Sequence, residues 1–226
     1  MFPIPDIIIS DYDALILDLD GTILDSMDLW NEVDRIFLSE RGIELTPDYT
    51  EYVKSVRIEQ AASYTASRYG LKESPEQIIG IWNAMVSDAY RKEIPLKKGA
   101  AEYLLKASSL GMKLGFATAL SFDNSKAALE RNGIFDIFDA HITLDDIDGG
   151  INKEEPDVYL KLAGMLGVPP ERCLVYEDIP KALEGARKGG FSTCAVYDRI
   201  GAGSDEAWEA MMRSSDHSIR DWRNEN

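Results

Sequence analysis

Apolar residues change their spacing along this chain, and the changes mark its organisation. The run Ala14-Leu15-Ile16-Leu17 does not alternate with polar residues, the pattern of a strand buried on both faces and central in a sheet. A second unbroken apolar run, Ile7-Ile8-Ile9, precedes it. From 27 to about 92 the spacing turns helical: Leu29, Val33, Ile36 and Phe37 share a face, followed by Ala61, Ala62 and Tyr64, then by Ile78, Ile79, Trp82 and Met85. Gly42, Thr46-Pro47, Gly70 and Ser74-Pro75 punctuate this region as helix ends and starts, so it reads as a bundle of about four short helices. Trp30 reads as a core residue of that bundle.

Beyond Pro95 strands and helices alternate. A helical stretch with Ala101, Tyr103-Leu104-Leu105 and Ala107 leads through Gly111 into a buried strand over 112–118. A helix over 126–132, a short strand at Ala140-His141-Ile142, a helix over 156–166, a strand at 173–176, a helix over 182–188 and a strand at 192–196 follow. Such alternation implies parallel pairing with right-handed crossovers. The expected fold is therefore α/β: a doubly wound parallel sheet with a small all-helical domain inserted after the first strand. Residues 1–27 and 95–226 should form the α/β core and 28–94 the helical insert. The acidic, glycine-containing stretch 202–206 reads as a surface loop, and 216–222 as a last short strand before a polar tail.

In doubly wound sheets the ligand crevice lies at the carboxyl ends of the strands, where the strand order reverses. Four segments bring polar chemistry to that edge: Asp18-Leu19-Asp20-Gly21-Thr22, Thr118, Lys153 and Glu177-Asp178. Singly, each has an ordinary role as turn residue, helix cap, surface lysine or acidic first turn. Jointly they compose a phosphoryl site. Asp18, Asp20, Glu177 and Asp178 would raise one another's cost of ionisation unless a cation sat among them, and hard oxygen ligands without His or Cys suit Mg²⁺. Asp18 can then attack phosphorus, forming an aspartyl-phosphate that divides a difficult transfer into two steps. Asp20, two residues on and so on the same side of an extended chain, can serve the leaving oxygen as general acid and later water as base. Thr118 and Lys153 would give a hydroxyl and a fixed charge to the phosphoryl oxygens. Gly21 permits the tight exit from the strand, and the Thr22 hydroxyl can tie down the turn.

Composition narrows the partners. With 226 residues the chain can bury a sizeable core, so size does not force association, and a monomer or weak homodimer is expected. Forty acids against 24 bases leave a net charge of -16, a field that opposes nucleic acid. The same field opposes small phosphates, so a phosphate site needs a local cation or metal. No apolar run approaches the roughly 18 residues of a membrane helix, and the opening MFPIPDIIISDY lacks a basic segment followed by an apolar stretch of signal length, so a cytoplasmic protein without membrane contact is expected. Cys173 and Cys194 lie in apolar stretches and read as buried free thiols. The run Asp145 to Gly150 has the look of a calcium loop, but Ile151 and Asp157 fall where an EF-hand needs glycine and glutamate, so it reads as a surface turn.

These motifs resemble those of the haloacid dehalogenase-like (HAD) superfamily, over nearly the whole chain and in order: DLDGT at Asp18 to Thr22 is similar to its first motif, Thr118 to its second, Lys153 in NKEEPDVYL to its third, and Glu177-Asp178 to its fourth. The helical insert resembles the small cap of the beta-phosphoglucomutase-like branch. The resemblance implies a Rossmann-like core whose cap opens and closes over substrate, with Asp18 as nucleophile, Asp20 as acid/base, and Thr118 and Lys153 as phosphoryl stabilisers. It also implies Mg²⁺ held by Asp18, the Asp20 carbonyl and Asp178, with Glu177 close by. The chain departs from the family pattern at Glu154, where a proline is usual and an acid now stands beside Lys153, at Ile179-Pro180 and Ala182-Leu183 in the fourth motif, and at Leu120, often polar in relatives. Mutases of this branch carry a His where Trp30 stands, and phosphatase relatives commonly carry Thr at the position of Thr22. A phosphatase acting on a small phosphorylated metabolite is the expectation, ahead of a sugar phosphomutase, a receiver-like phosphoacceptor or a non-catalytic binding protein. Lys54 and Arg57 are candidates for reading the substrate's leaving group, against the alternative of a solvated helix face.

Overall fold

The computed structural model describes residues 11–54, 56–147 and 152–223. The apolar run Ile7-Ile8-Ile9 lies outside the described residues, as does the end of the acidic run from Asp148 onward. The contacts divide the chain into two compact units, Met1–Met27 with Ile94–Asn226, and Asp28–Glu93.

Among the described residues of the first unit six strands form one sheet in the order β3-β2-β1-β4-β5-β6: β1 Ala14–Leu17, β2 Lys113–Ala117, β3 Ala140–Ile142, β4 Cys173–Glu177, β5 Ser192–Val196 and β6 His217–Ile219. Every neighbouring pair is parallel, because each connection carries a helix that returns the chain to the starting edge. All four residues of β1 are fully buried, as its unbroken apolar run demands. The order runs from β1 outward to β3 and then crosses to β4 on the other side of β1, so the reversal falls between β1 and β4. Leu17 pairs with Phe116 on one side and with Tyr176 on the other. That register delivers the ends of three strands to one place. One sheet face carries Ile16 and Val175 against Val158, Tyr159 and Leu162 of the helix Asp157–Leu166.

Two boundaries differ from the sequence expectation. The stretch 202–206 is not a loop: helices Arg199–Ala202 and Asp205–Ser214 meet there. Asp198 and Ser204 each accept backbone N–H groups at a helix start, and Trp208 and Met211 supply a buried anchor that outweighs the glycine signals. The helix expected from 126 begins at Phe122, because the Ser121 side chain caps it by accepting from Asn124 N.

The second unit contains helices Leu29–Ser39, Pro47–Lys54, Ile58–Tyr69 and Pro75–Lys92. Phe37 meets Trp82 edge-on with centroids 5.6 Å apart, and Ser74 opens the last helix with a capping box to Gln77. Trp30 is not core: it is 47% exposed, since Leu29, Val33 and Phe37 already hold the buried stripe of its helix and Trp30 falls off that face. Among the described residues no helix is long and apolar enough to cross a membrane.

The strand end expected over 216–222 supplies a brace for the β1 turn. Trp222 is buried, stacks on Tyr176 with centroids 5.2 Å apart, and donates its indole N–H to the Thr22 carbonyl at 3.1 Å. Trp222→Ala should lower unfolding free energy by about 3–5 kcal/mol through the cavity it leaves, and urea unfolding checks this.

Candidate active site

Asp18 follows β1 directly, and its N–H donates to the Tyr176 carbonyl at 3.1 Å, fastening the start of the turn to β4. Glu177 closes β4 and Asp178 follows it. One carboxylate oxygen from each of Asp18, Glu177 and Asp178 lies within 4.8 Å of the others, and all three residues are buried. Asp20, two residues beyond Asp18 and partly exposed, accepts a short hydrogen bond from Ser26 Oγ.

Lys153 enters from the loop ahead of the helix Asp157–Leu166. Its ammonium donates to Asp18 Oδ1 and, at 2.8 Å, to Glu177 Oε1. The Tyr159 hydroxyl donates to the same Glu177 oxygen at 3.0 Å. Thr118 follows β2 and is 1% exposed, and its Oγ1 accepts from Leu120 N at 3.2 Å. That bond occupies the hydroxyl as acceptor and leaves its proton to give. Thr22 does not tie down its own turn: its hydroxyl reaches across to Asp178 Oδ1 at 3.2 Å. Glu154, the acid expected beside Lys153, pairs with Lys181 at 2.8 Å instead. In the acidic run, Asp145 accepts from Phe122 N and Asp146 from Thr143 N, so these two carboxylates act as caps.

Burial alone would pull the Lys153 ammonium down, but Asp18 and Glu177 beside it more than offset this and hold it above its ordinary value. Burial pushes Glu177 up, and the Asp18 charge adds to that against the opposing pull of Lys153. Asp178 is held well above the usual carboxylate range by burial first and by Asp18 and Glu177 next. Both acids are raised by burial first, and by the like charges beside them next. Two oxygens, Glu177 Oε2 and Asp178 Oδ2, are buried without a hydrogen-bond partner among the described residues. Buried carboxylate oxygens without a donor, crowded among like charges, fit a hard divalent cation.

Lys54 closes the helix Pro47–Lys54, and its side chain lies outside what is described; Arg57 immediately precedes Ile58–Tyr69 and is exposed. Both belong to the Asp28–Glu93 unit. Two residues that support the surroundings of the cluster escaped sequence reasoning. Tyr159 sits inside the apolar stripe of its helix and reads as core, while Lys97 sits in a Lys-Lys pair with the look of a solvated surface. Lys97 in fact donates to the Gly21 carbonyl, to the Tyr197 carbonyl at 2.9 Å and to Asp198 Oδ2 at 3.0 Å.

Known proteins resemble this chain in sequence and in fold. A phosphorylated carbohydrates phosphatase of Thermotoga maritima is 25% identical over 178 residues, covering 79% of this chain and 82% of its own length. A beta-phosphoglucomutase of Mycobacterium bovis is 27% identical over 227 residues, covering 86% and 84%. The crystal structure of CbbY from Rhodobacter sphaeroides in complex with phosphate shares the fold with a TM-score of 0.70 at 20% identity, covering 94% of this chain and 96% of that one. The family model of haloacid dehalogenase-like hydrolases matches residues 15–196, a span that holds Asp18, Asp20, Thr118, Lys153, Glu177 and Asp178, and the chain belongs to that family.

Proposed function

We propose that the protein is a Mg²⁺-dependent phosphatase that hydrolyses a small phosphorylated metabolite through an aspartyl-phosphate on Asp18. The observation that carries this reading is the buried cluster of Asp18, Glu177 and Asp178 around the Lys153 ammonium, at the point where the strand order reverses. An Asp18 oxygen attacks phosphorus while the ester oxygen departs with a proton from Asp20. Asp20 then takes a proton from water, which attacks the aspartyl-phosphate, releases inorganic phosphate and restores Asp18. The Thr118 hydroxyl and the Lys153 ammonium hold the phosphoryl oxygens as charge redistributes over them. Asp18, the Asp20 carbonyl and Asp178, with Glu177 close by, would hold Mg²⁺, which when bound supplies the positive charge that the clustered carboxylates and the phosphoryl group require.

The placement of histidine supports hydrolysis over phosphoryl return to substrate. The chain has two histidines and none lies within 28–93. His141 stacks on Phe116 and Phe122, with centroids 5.2 Å and 5.0 Å away, and His217 bonds the Tyr12 hydroxyl. The described cysteines, Cys173 and Cys194, are both free and buried, which supports a reducing, cytoplasmic setting. Lys54 and Arg57 are proposed to bind the leaving group of the substrate.

Phosphate release from a panel of sugar, nucleotide and small-acid phosphates tests the reading. The wild type should release phosphate with Mg²⁺ and not with EDTA. Asp18→Asn, nearly isosteric, should fold and lose at least about 10³-fold in kcat, and Asp20→Asn should lose about 10²–10⁴-fold. Full turnover in the Asp18 variant would remove the nucleophile from the scheme. For the leaving-group contacts, Lys54→Ala and Arg57→Ala should each raise KM about tenfold or more, the worth of one charge-assisted hydrogen bond, with kcat little changed. A KM equal to that of the wild type in both variants would assign these side chains to the solvated face.

A further inference from the structure

Lys97 is a largely buried cation for which the proposed chemistry has no use. Its side chain is 15% exposed, and that of its partner Asp198 is 11% exposed. The backbone brings it there: Asp25 N donates to the Pro95 carbonyl at 3.0 Å and Lys97 N to the Ile23 carbonyl at 2.9 Å, so the outgoing and returning segments zip together beside the β1 turn. An ammonium has three protons to give, and those of Lys97 are committed to Gly21 O, Tyr197 O and Asp198 Oδ2. It is therefore a brace, with no donor left for a ligand.

What it braces is the wall around Asp178. A Cβ on Gly21 would lie 2.2 Å from Asp178 Oδ2, and a Cβ on Gly201 would lie 1.9 Å from the same oxygen. A side chain at either position would have to push that oxygen aside. Gly201 belongs to the short helix Arg199–Ala202, and Asp198 Oδ1 accepts from the N–H groups of Ile200 at 2.8 Å and Gly201 at 3.1 Å. One oxygen of Asp198 thus holds the Gly201 peptide, and the other holds Lys97, which in turn holds the Gly21 carbonyl. Asp178 Oδ2 itself has no hydrogen-bond partner among the described residues, so the fit of these two glycine peptides, with the Thr22 bond to Oδ1, sets how the carboxylate is turned.

We propose that Lys97 is a positioning residue for the cation site, joining Gly21 and Asp198 so that the glycine walls keep Asp178 in its cation-holding orientation. This rests on the reading of Asp178 as a metal ligand. Charge-assisted bonds between largely buried groups are strong enough to hold such a wall, and residues that orient a ligand from behind typically tune metal affinity about 10–100-fold.

The test compares the wild type with Lys97→Met, Asp198→Asn, their double variant and Gly201→Ala. Thermal unfolding is followed across a Mg²⁺ titration without substrate, alongside kcat and KM at saturating Mg²⁺. Lys97→Met should raise the Mg²⁺ concentration for half-maximal stabilisation about tenfold or more, leaving KM for substrate within about twofold once Mg²⁺ saturates. The double variant should be no worse than the poorer single variant, as for members of one chain of contacts. Gly201→Ala, which leaves Lys97 intact and adds only a methyl group against Asp178, should raise the same midpoint; if Lys97→Met does not fold, Asp198→Asn, which removes the charge that Lys97 pairs with while its amide oxygen can still accept from Ile200 and Gly201, decides the matter. A wild type that responds to Mg²⁺, with Lys97→Met, or Asp198→Asn in its place, sharing its midpoint, would overturn this proposal alone. A wild type without any Mg²⁺ response would overturn it together with the metal-dependent function.

Discussion

The crowding of negative charge at the carboxyl ends of β1 and β4 governs the rest of this molecule. Asp18, Glu177 and Asp178 sit out of water, within 4.8 Å of one another through one oxygen each, in a chain that already carries a net charge of -16. Lys153 answers part of that charge, through bonds to Asp18 and to Glu177. Removing one partner of a buried ion pair typically costs about 3–5 kcal/mol, because the other is left unpaired in a poor solvent. Burial and like charge still hold Glu177 and Asp178 above their ordinary values with Lys153 in place. The site is therefore an electrostatic deficit maintained by packing, and its function follows from what can fill it.

The scaffold makes that deficit affordable. Parallel strands with buried faces bring their backbone ends to one edge without exposing the sheet, and β1 is fully buried while presenting Asp18 at its last bond. The supports come from distant parts of the chain: Tyr159 from one helix onto Glu177, Thr22 from the β1 turn onto Asp178, and Trp222 from beyond β6 onto the Thr22 carbonyl. Each bond spends a polar group that would otherwise be buried without a partner.

Much of this was legible in the chain, for identifiable reasons. An apolar run without alternation has few homes other than a central parallel strand, and Ala14-Leu15-Ile16-Leu17 occupies one. Acids that directly follow such runs land at the carboxyl edge by geometry alone, which is how Asp18, Glu177 and Asp178 could be read together. What stayed hidden depends on side-chain direction, which periodicity does not encode. Tyr159 has the period of a core residue and is one, yet its hydroxyl reaches the site. Lys97 and Lys98 are neighbours of the same type, and only the zipped backbone separates the brace from the exposed lysine. The helices around Gly203 were masked by glycine and serine, which signal loops until a buried Trp208 and a capping Asp198 are known to stand beside them. Trp30 erred the other way, because a large ring near an apolar stripe is assigned inward until the stripe proves already full.

The pairing of Leu24 with Leu96 has a further consequence. The chain leaves the α/β unit and returns to it at two adjacent, hydrogen-bonded points, so for the sheet the helical segment between them is a loop whose ends have already met. Closure entropy rises only with the logarithm of loop length, about 0.6 kcal/mol for each doubling. The zipper between Asp25 and Pro95 makes the core nearly indifferent to how much chain is suspended from it. A scaffold of this kind can exchange one suspended module for another, or lengthen it, without renegotiating the geometry of Asp18. The carboxylate edge and the suspended helices can then diversify on separate clocks.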